Sequence, residues 1–135
     1  NDAEIINSCL ESAHWLKLNN YEIESLAKDE NLQKAALNIK TTHDISDVYI
    51  THGEQGAMLV NDSGIKQFNA ESITAIDTIG AGDAFSAVAI LGLHLGWSDF
   101  QIMKNANEFA ARICQGLGGT PLKQPDYTAL MRQWA

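Results

Sequence analysis

Asp77-Thr78-Ile79-Gly80-Ala81-Gly82-Asp83 runs directly into an apolar stretch over residues 84–95, and this junction decides how the chain is read. Gly80 and Gly82 allow backbone conformations that a Cβ would forbid, and Ala81 is nearly as small, so successive N–H groups can face one anion. The stretch that follows has the length of a helix, whose dipole puts its positive end at the loop. Asp83 falls where loop becomes helix. From there its carboxylate can take a proton from a hydroxyl that attacks a bound phosphate. The plainer alternative is an N-cap, since Asp satisfies free N–H groups at helix starts. Against it, an aspartate beside a held phosphate is costly unless it is used.

Working outward, the pattern alternates helix and strand. Ile5, Ile6, Cys9 and Leu10 recur at helical spacing, and residues 13–18 form a short apolar run that suits a buried strand. A short helix through Ile23, Leu26 and Ala27 follows, then a longer one with Leu32, Ala35, Ala36 and Ile39 on one face. Residues 48–51 make the next strand. Residues 57–60 and 65–68 flank the turn formers Asn61-Asp62-Ser63-Gly64 and predict a hairpin. Residues 69–76 read as an extended approach to the anion loop. Residues 84–95 are apolar nearly all round, which predicts burial on several sides. Ser98 or Asp99 can cap a further amphipathic helix carrying Ile102, Met103, Ala106, Phe109, Ala110, Ile113 and Cys114, with Glu108 and Arg112 as an outer i,i+4 pair. Pro121 and Pro125 frame a loop before a last helix over about residues 126–134.

The seven-residue stretch, with Ala84 and Phe85, resembles the Asp-Thr-x-Gly-Ala-Gly-Asp signature of the ribokinase-like, or PfkB-type, carbohydrate kinases at every fixed position. Three further elements are similar to that family in the same order. Lys17-Leu18-Asn19-Asn20-Tyr21-Glu22 resembles its Lys-Pro-Asn-x-x-Glu element, with Leu18 in place of proline. Thr51-His52-Gly53-Glu54-Gln55-Gly56 resembles its Thr-x-Gly-x-x-Gly turn, and Ala106-Asn107 through Gly118-Gly119-Thr120-Pro121 resembles its closing helix and turn. Cys114 ahead of that turn is most similar to fructokinase-type members.

The resemblance implies an α/β fold, a mainly parallel sheet flanked by helices, of which residues 1–135 are the C-terminal nucleotide-binding and catalytic part, with a local β-hairpin and with the N-terminal half absent. It implies phosphorylation of a sugar hydroxyl by ATP. Asp83 is the expected base, and the N–H groups of Gly80, Ala81, Gly82 and Asp83 the expected anion hole for the γ-phosphate. Asn19 and Glu22 match the pair that organises Mg²⁺ and the phosphates, Glu22 through metal-bound water. Thr51 and Gly53 match positions passed by nucleotide phosphate and ribose, and Asn107 one on the adenine side. Lys17 matches the family's lysine with no role assigned. Asp77 either orders the loop from behind or joins a monovalent cation site, K⁺ being the candidate ion. The chain alone is expected to be inactive, an inert truncation or non-catalytic nucleotide-binding module being the alternative to a working kinase.

The resemblance implies ATP and a small sugar as partners. A net charge of −8, with nine basic residues scattered along 135, argues against a nucleic-acid backbone or an anionic membrane. The chain reads as cytoplasmic, and a homodimer of the full-length protein is a candidate assembly. Cys9 and Cys114 are expected as buried small hydrophobes. The four histidines match no metal or triad spacing. A dinucleotide fingerprint is excluded because Phe85 stands where Gly80-x-Gly82-x-x would need its third glycine.

Overall fold

A computed structural model describes residues 2–27, 31–70, 74–119 and 127–134. They form two compact units, residues 1–68 and 69–135.

In the first unit α1 (Asp2–Ser12) leads to β1 (Trp15–Asn19), α2 (Asn20–Ala27), α3 (Leu32–Thr42), β2 (Asp47–Thr51), a 3₁₀ turn (Gly53–Gln55), β3 (Ala57–Asn61) and β4 (Gly64–Phe68). The strands lie in the order β1-β2-β3-β4. The α2–α3 crossover makes β1 and β2 parallel, with Leu18 opposite Ile50 and Asn19 opposite Thr51. Because side chains alternate across a strand, Leu18, Val48, Ile50, Met58 and Val60 fall on one face, and Ile23, Ala35, Ala36 and Ile39 from α2 and α3 complete the core there. Each large apolar side chain so buried contributes roughly 1.5–3 kcal/mol. Asn31 caps α3, its side chain accepting the Lys34 N–H at 3.0 Å.

The sequence leads one to expect a mainly parallel sheet, whereas the sheet of the described residues is mixed, with β2–β3 and β3–β4 antiparallel. The reason is the length of the connections. The His52 N–H donates to the Gly56 carbonyl at 2.8 Å, closing a turn far too short for a parallel crossover. The expected hairpin forms with Asn61 opposite Gly64, and Lys40 reaches its turn through a 2.7 Å ion pair with Asp62. Cys9 departs from expectation: α1 buries only Leu10, so its apolar face, Cys9 included, is exposed.

The second unit holds α4 (Ala81–Leu95), α5 (Asp99–Cys114) and α6 (Tyr127–Trp134). α4 starts three residues before its apolar run. It buries Ala84, Phe85, Val88, Ala89 and Gly92, while Ile90, Leu93 and Leu95 are exposed. The expected burial on several sides is therefore found on one, as is natural where packing follows the small residues: a Cβ at Gly92 would stand 2.6 Å from the Trp97 ring and 2.7 Å from Ile102. His94, in the stretch expected to be buried, is exposed. Ser98 and Gln101 cap α5 reciprocally, and Glu108 pairs at 3.8 Å with Lys104 rather than Arg112. α6 packs on α5 through Phe109, whose ring centroid lies 5.9 Å from that of Trp134 and 6.4 Å from that of Tyr127. Thr120, Pro121, Pro125 and Asp126, and part of the expected approach at 71–73, lie outside the described residues. Among the described residues no helix is long and apolar enough to cross a membrane.

Candidate active site

The first unit brings Asn19, Glu22, Thr51 and Gly53 to the carboxyl ends of β1 and β2, the edge at which open α/β sheets take ligands. Asn19 Oδ1 accepts the Glu22 N–H at 2.9 Å and Glu22 Oε2 accepts the Asn19 N–H at 2.7 Å, a reciprocal cap on α2. Each side chain thus has one oxygen committed, and Glu22 remains exposed. Thr51 Oγ1 donates weakly to the Leu18 carbonyl at 3.5 Å. Gly53, with φ 49°, opens the 3₁₀ turn and has open space where a Cβ would go. A cleft of about 380 Å³ beside α3, lined by Asn31, Leu32, His52, Gln55, Met58 and Gln67 among others, holds none of these candidate residues.

The second unit builds the anion loop. Gly80 is the N-cap of α4 in the left-handed region, φ 81° and ψ −5°, with no side-chain hydrogen bond to the first turn. Only at Gly80 does the loop need a residue without Cβ for conformational reasons. Gly82 lies inside the helix, and the unusual backbone expected of it is not there; its smallness bears on approach instead. Ala81 donates its N–H to the Thr78 carbonyl at 3.3 Å. Gly82 and Asp83, in the first turn, have no acceptor one turn back within α4. Asp83 is exposed and does not cap the helix, so the plainer N-cap role falls away.

Asp77 holds the loop from behind. Its Oδ1 accepts the Ile79 N–H at 3.0 Å and its Oδ2 the Gly118 N–H at 2.9 Å. The Ile79 N–H first, then that of Gly118, keep its carboxyl below the usual carboxylate range. The carbonyl of Cys114 accepts the N–H groups of Ile76 and Asp77 at 2.8 and 3.1 Å. Its thiol is buried and pushed up, chiefly by desolvation and secondarily by the charge of Asp77. Reading side chains misses the Cys114 carbonyl, because any residue there would offer the same atom. Asn107 stands on α5 with Nδ2 buried and without an acceptor among the described residues. No group of three or more His, Cys, Asp or Glu able to hold a metal occurs among the described residues.

Residues 2–125 match the pfkB family carbohydrate kinase. The fructokinase of Vibrio alginolyticus is 31% identical over 116 residues, covering 81% of this chain and 36% of that protein. Among solved structures, the ribokinase of Thermotoga maritima superimposes with a TM-score of 0.78 at 26% identity, over 91% of this chain and 43% of its own. An Escherichia coli putative ribokinase II in complex with ATP and Mg²⁺ gives 0.83 at 17% identity over 97% and 43%. The E. coli phosphofructokinase-2 in complex with potassium gives 0.80 at 21% over 97% and 45%. The chain thus spans less than half the length of each of these relatives.

Proposed function

The chain belongs to the pfkB family of carbohydrate kinases, and from that premise we propose that it is the C-terminal, nucleotide-binding and catalytic part of an ATP-dependent sugar kinase. The observation that carries the reading is the start of α4: a helix opened by a glycine in the left-handed region, with no side-chain cap and with the exposed carboxylate of Asp83 in its first turn.

In this reading Asp83 accepts the proton of a sugar hydroxyl as its oxygen bonds to the γ-phosphorus of ATP and the bond to the β,γ-bridging oxygen breaks, leaving ADP. The loop at Gly80 and Ala81 and the N–H groups of Gly82 and Asp83 offset negative charge on the transferring group. By the family resemblance Glu22, through water, and Asn19 would hold the Mg²⁺ that accompanies the nucleotide, and the ion would supply neutralisation of phosphate charge. Thr51 and Gly53 line the path of the phosphates and ribose, and Asn107, whose buried Nδ2 has no acceptor among the described residues, stands on the adenine side. A monovalent cation such as K⁺ is no part of these steps; each oxygen of Asp77 accepts one backbone N–H and keeps a second acceptor site. Fructokinase-type specificity is favoured by the match to the Vibrio enzyme.

The chain by itself phosphorylates no sugar, because orienting the acceptor accounts for roughly 7–11 kcal/mol of such catalysis and the family's acceptor pocket lies in the other half. Incubating the full-length protein with MgATP, fructose and a panel of hexoses and pentoses is the test. Sugar phosphate from the full-length protein and none from residues 1–135 is expected; no product from the full-length protein on any sugar would sink the reading.

A further inference from the structure

One acidic group of the anion loop has no part in the chemistry just described. Asp77 joins two segments remote in sequence, its carboxylate accepting the Ile79 N–H at 3.0 Å and the Gly118 N–H at 2.9 Å. The same segments meet as bare backbone. A Cβ on Gly80 would lie 3.1 Å from the Gly119 Cα, and one on Gly119 would lie 2.7 Å from the Ile79 carbonyl oxygen. Gly118 and Gly119 are both in the left-handed region, with φ 73° and 65°, so this turn is shaped to fit under the loop. The Cys114 carbonyl ties down Ile76 and Asp77 as well.

We propose that Asp77 is a positioning residue of the phosphoryl-transfer site: its carboxylate latches the turn at Ile79 and Gly80 onto the turn at Gly118 and Gly119, and so sets the direction of the Gly82 and Asp83 N–H groups and of the Asp83 carboxylate. The proposal rests on the functional reading above. A carboxylate is the group the geometry requires, because it alone presents an acceptor on both sides. An amide would turn its NH₂ against one of the two N–H donors, leaving one segment unlatched. Two charge-assisted hydrogen bonds also hold a fixed direction better than neutral ones.

The test uses Asp77→Asn in two settings. In the ¹⁵N-labelled 135-residue chain the amide resonances of Gly118 and Ile79 move, and with them those of Gly82 and Asp83, which Asp77 does not touch, while Val88 and Ala89 in the buried face of α4 stay in place. In the full-length protein kcat falls about 100-fold, the scale of a small misplacement of reacting groups, with KM for MgATP nearly unchanged. Asp77→Glu, which keeps the charge on a longer arm, is read in the same way should the Asn variant not fold. Unmoved Gly82 and Asp83 resonances, or wild-type kcat in a folded variant, would overturn the proposal. If the wild-type full-length protein has no kinase activity, the functional reading fails while the resonances still decide whether Asp77 aims the loop.

Discussion

The starts of α2 and α4 differ in one respect that orders the rest of the molecule. At α2 the side chains of Asn19 and Glu22 satisfy each other's N–H groups at 2.9 and 2.7 Å, and the helix is closed. Asn31 closes α3 and Ser98 with Gln101 closes α5. At α4 Gly80 offers no side chain and Asp83, though in the first turn, does not reach back. With glycine at the N-cap, forgoing a side-chain cap costs only about a few tenths of a kcal/mol, and the chain bears that cost beside its most specific motif. Instead, Asp77 secures the loop from behind, leaving the front of the helix open. A helix start that is anchored yet uncapped is what a site for an anionic ligand requires.

The largest effect expected is on chemistry at the open start. In the full-length protein Asp83→Asn keeps the shape of the first turn and loses basicity, so kcat should fall by about 10²–10⁴ while folding, followed by circular dichroism, is unchanged. Near-wild-type turnover would make α4 merely an uncapped helix.

Next in size is the contrast between the two glycines of the loop, which share a motif but not a conformation. Gly80→Ala forces a Cβ into the left-handed region 3.1 Å from the Gly119 Cα and should cost about 1–3 kcal/mol of stability. Gly82→Ala, inside the helix, should instead stabilise the fold by up to about 1 kcal/mol while crowding any ligand at the first turn. Chemical denaturation of both variants reads the signs. Equal destabilisation would mean that Gly82 is strained too.

How far the sequence discloses this contrast depends on what each feature is made of. Period and composition place β1, α3, β2, the hairpin and α5 close to where they lie, since each rests on its own side chains. The same reasoning treats Gly80 and Gly82 alike, because a Gly-x-Gly motif does not say where the helix begins; α4 begins at Ala81, which gives the two glycines different duties. Asn19 and Glu22 are legible as a pair at the right spacing, but their mutual cap competes for the same oxygens as the role the resemblance implies. The Cys114 carbonyl and the fit of Gly119 under Gly80 are backbone contacts across some forty residues, and side-chain identity carries little trace of them. The apolar face of α4 at Ile90, Leu93 and Leu95 reads as core in the sequence and stands exposed in the fold.

Breaking the closed start gives a smaller change. Asn19→Ala removes the acceptor of the Glu22 N–H while the backbone N–H of residue 19 still donates to the Glu22 carboxylate, costing about 1 kcal/mol in denaturant unfolding. If the cap and the proposed metal-facing role are distinct, Mg²⁺ dependence of the full-length protein shifts less with Asn19→Ala than with Glu22→Gln, which removes the charge itself. A larger shift from the asparagine would merge the two roles.

The smallest effect concerns the anchor behind α4 and is visible only in acid. Backbone N–H groups hold the Asp77 carboxyl below its ordinary value of 3.8. With the folded value lowered, the stabilisation from this group is fully present above the ordinary value and is lost as pH falls through the folded one. The neighbouring titratable group, the Cys114 thiol, is pushed up and stays neutral throughout that window. An acid titration of the ¹⁵N-labelled chain should therefore show the Gly118 and Ile79 amides moving together with a midpoint under 3.8, then releasing the turn. Amides that move independently, or with a midpoint above that value, would mean that the two N–H groups do not share one carboxylate. The open start of α4 would then have to be held by the backbone contacts of Cys114 and Gly119 alone.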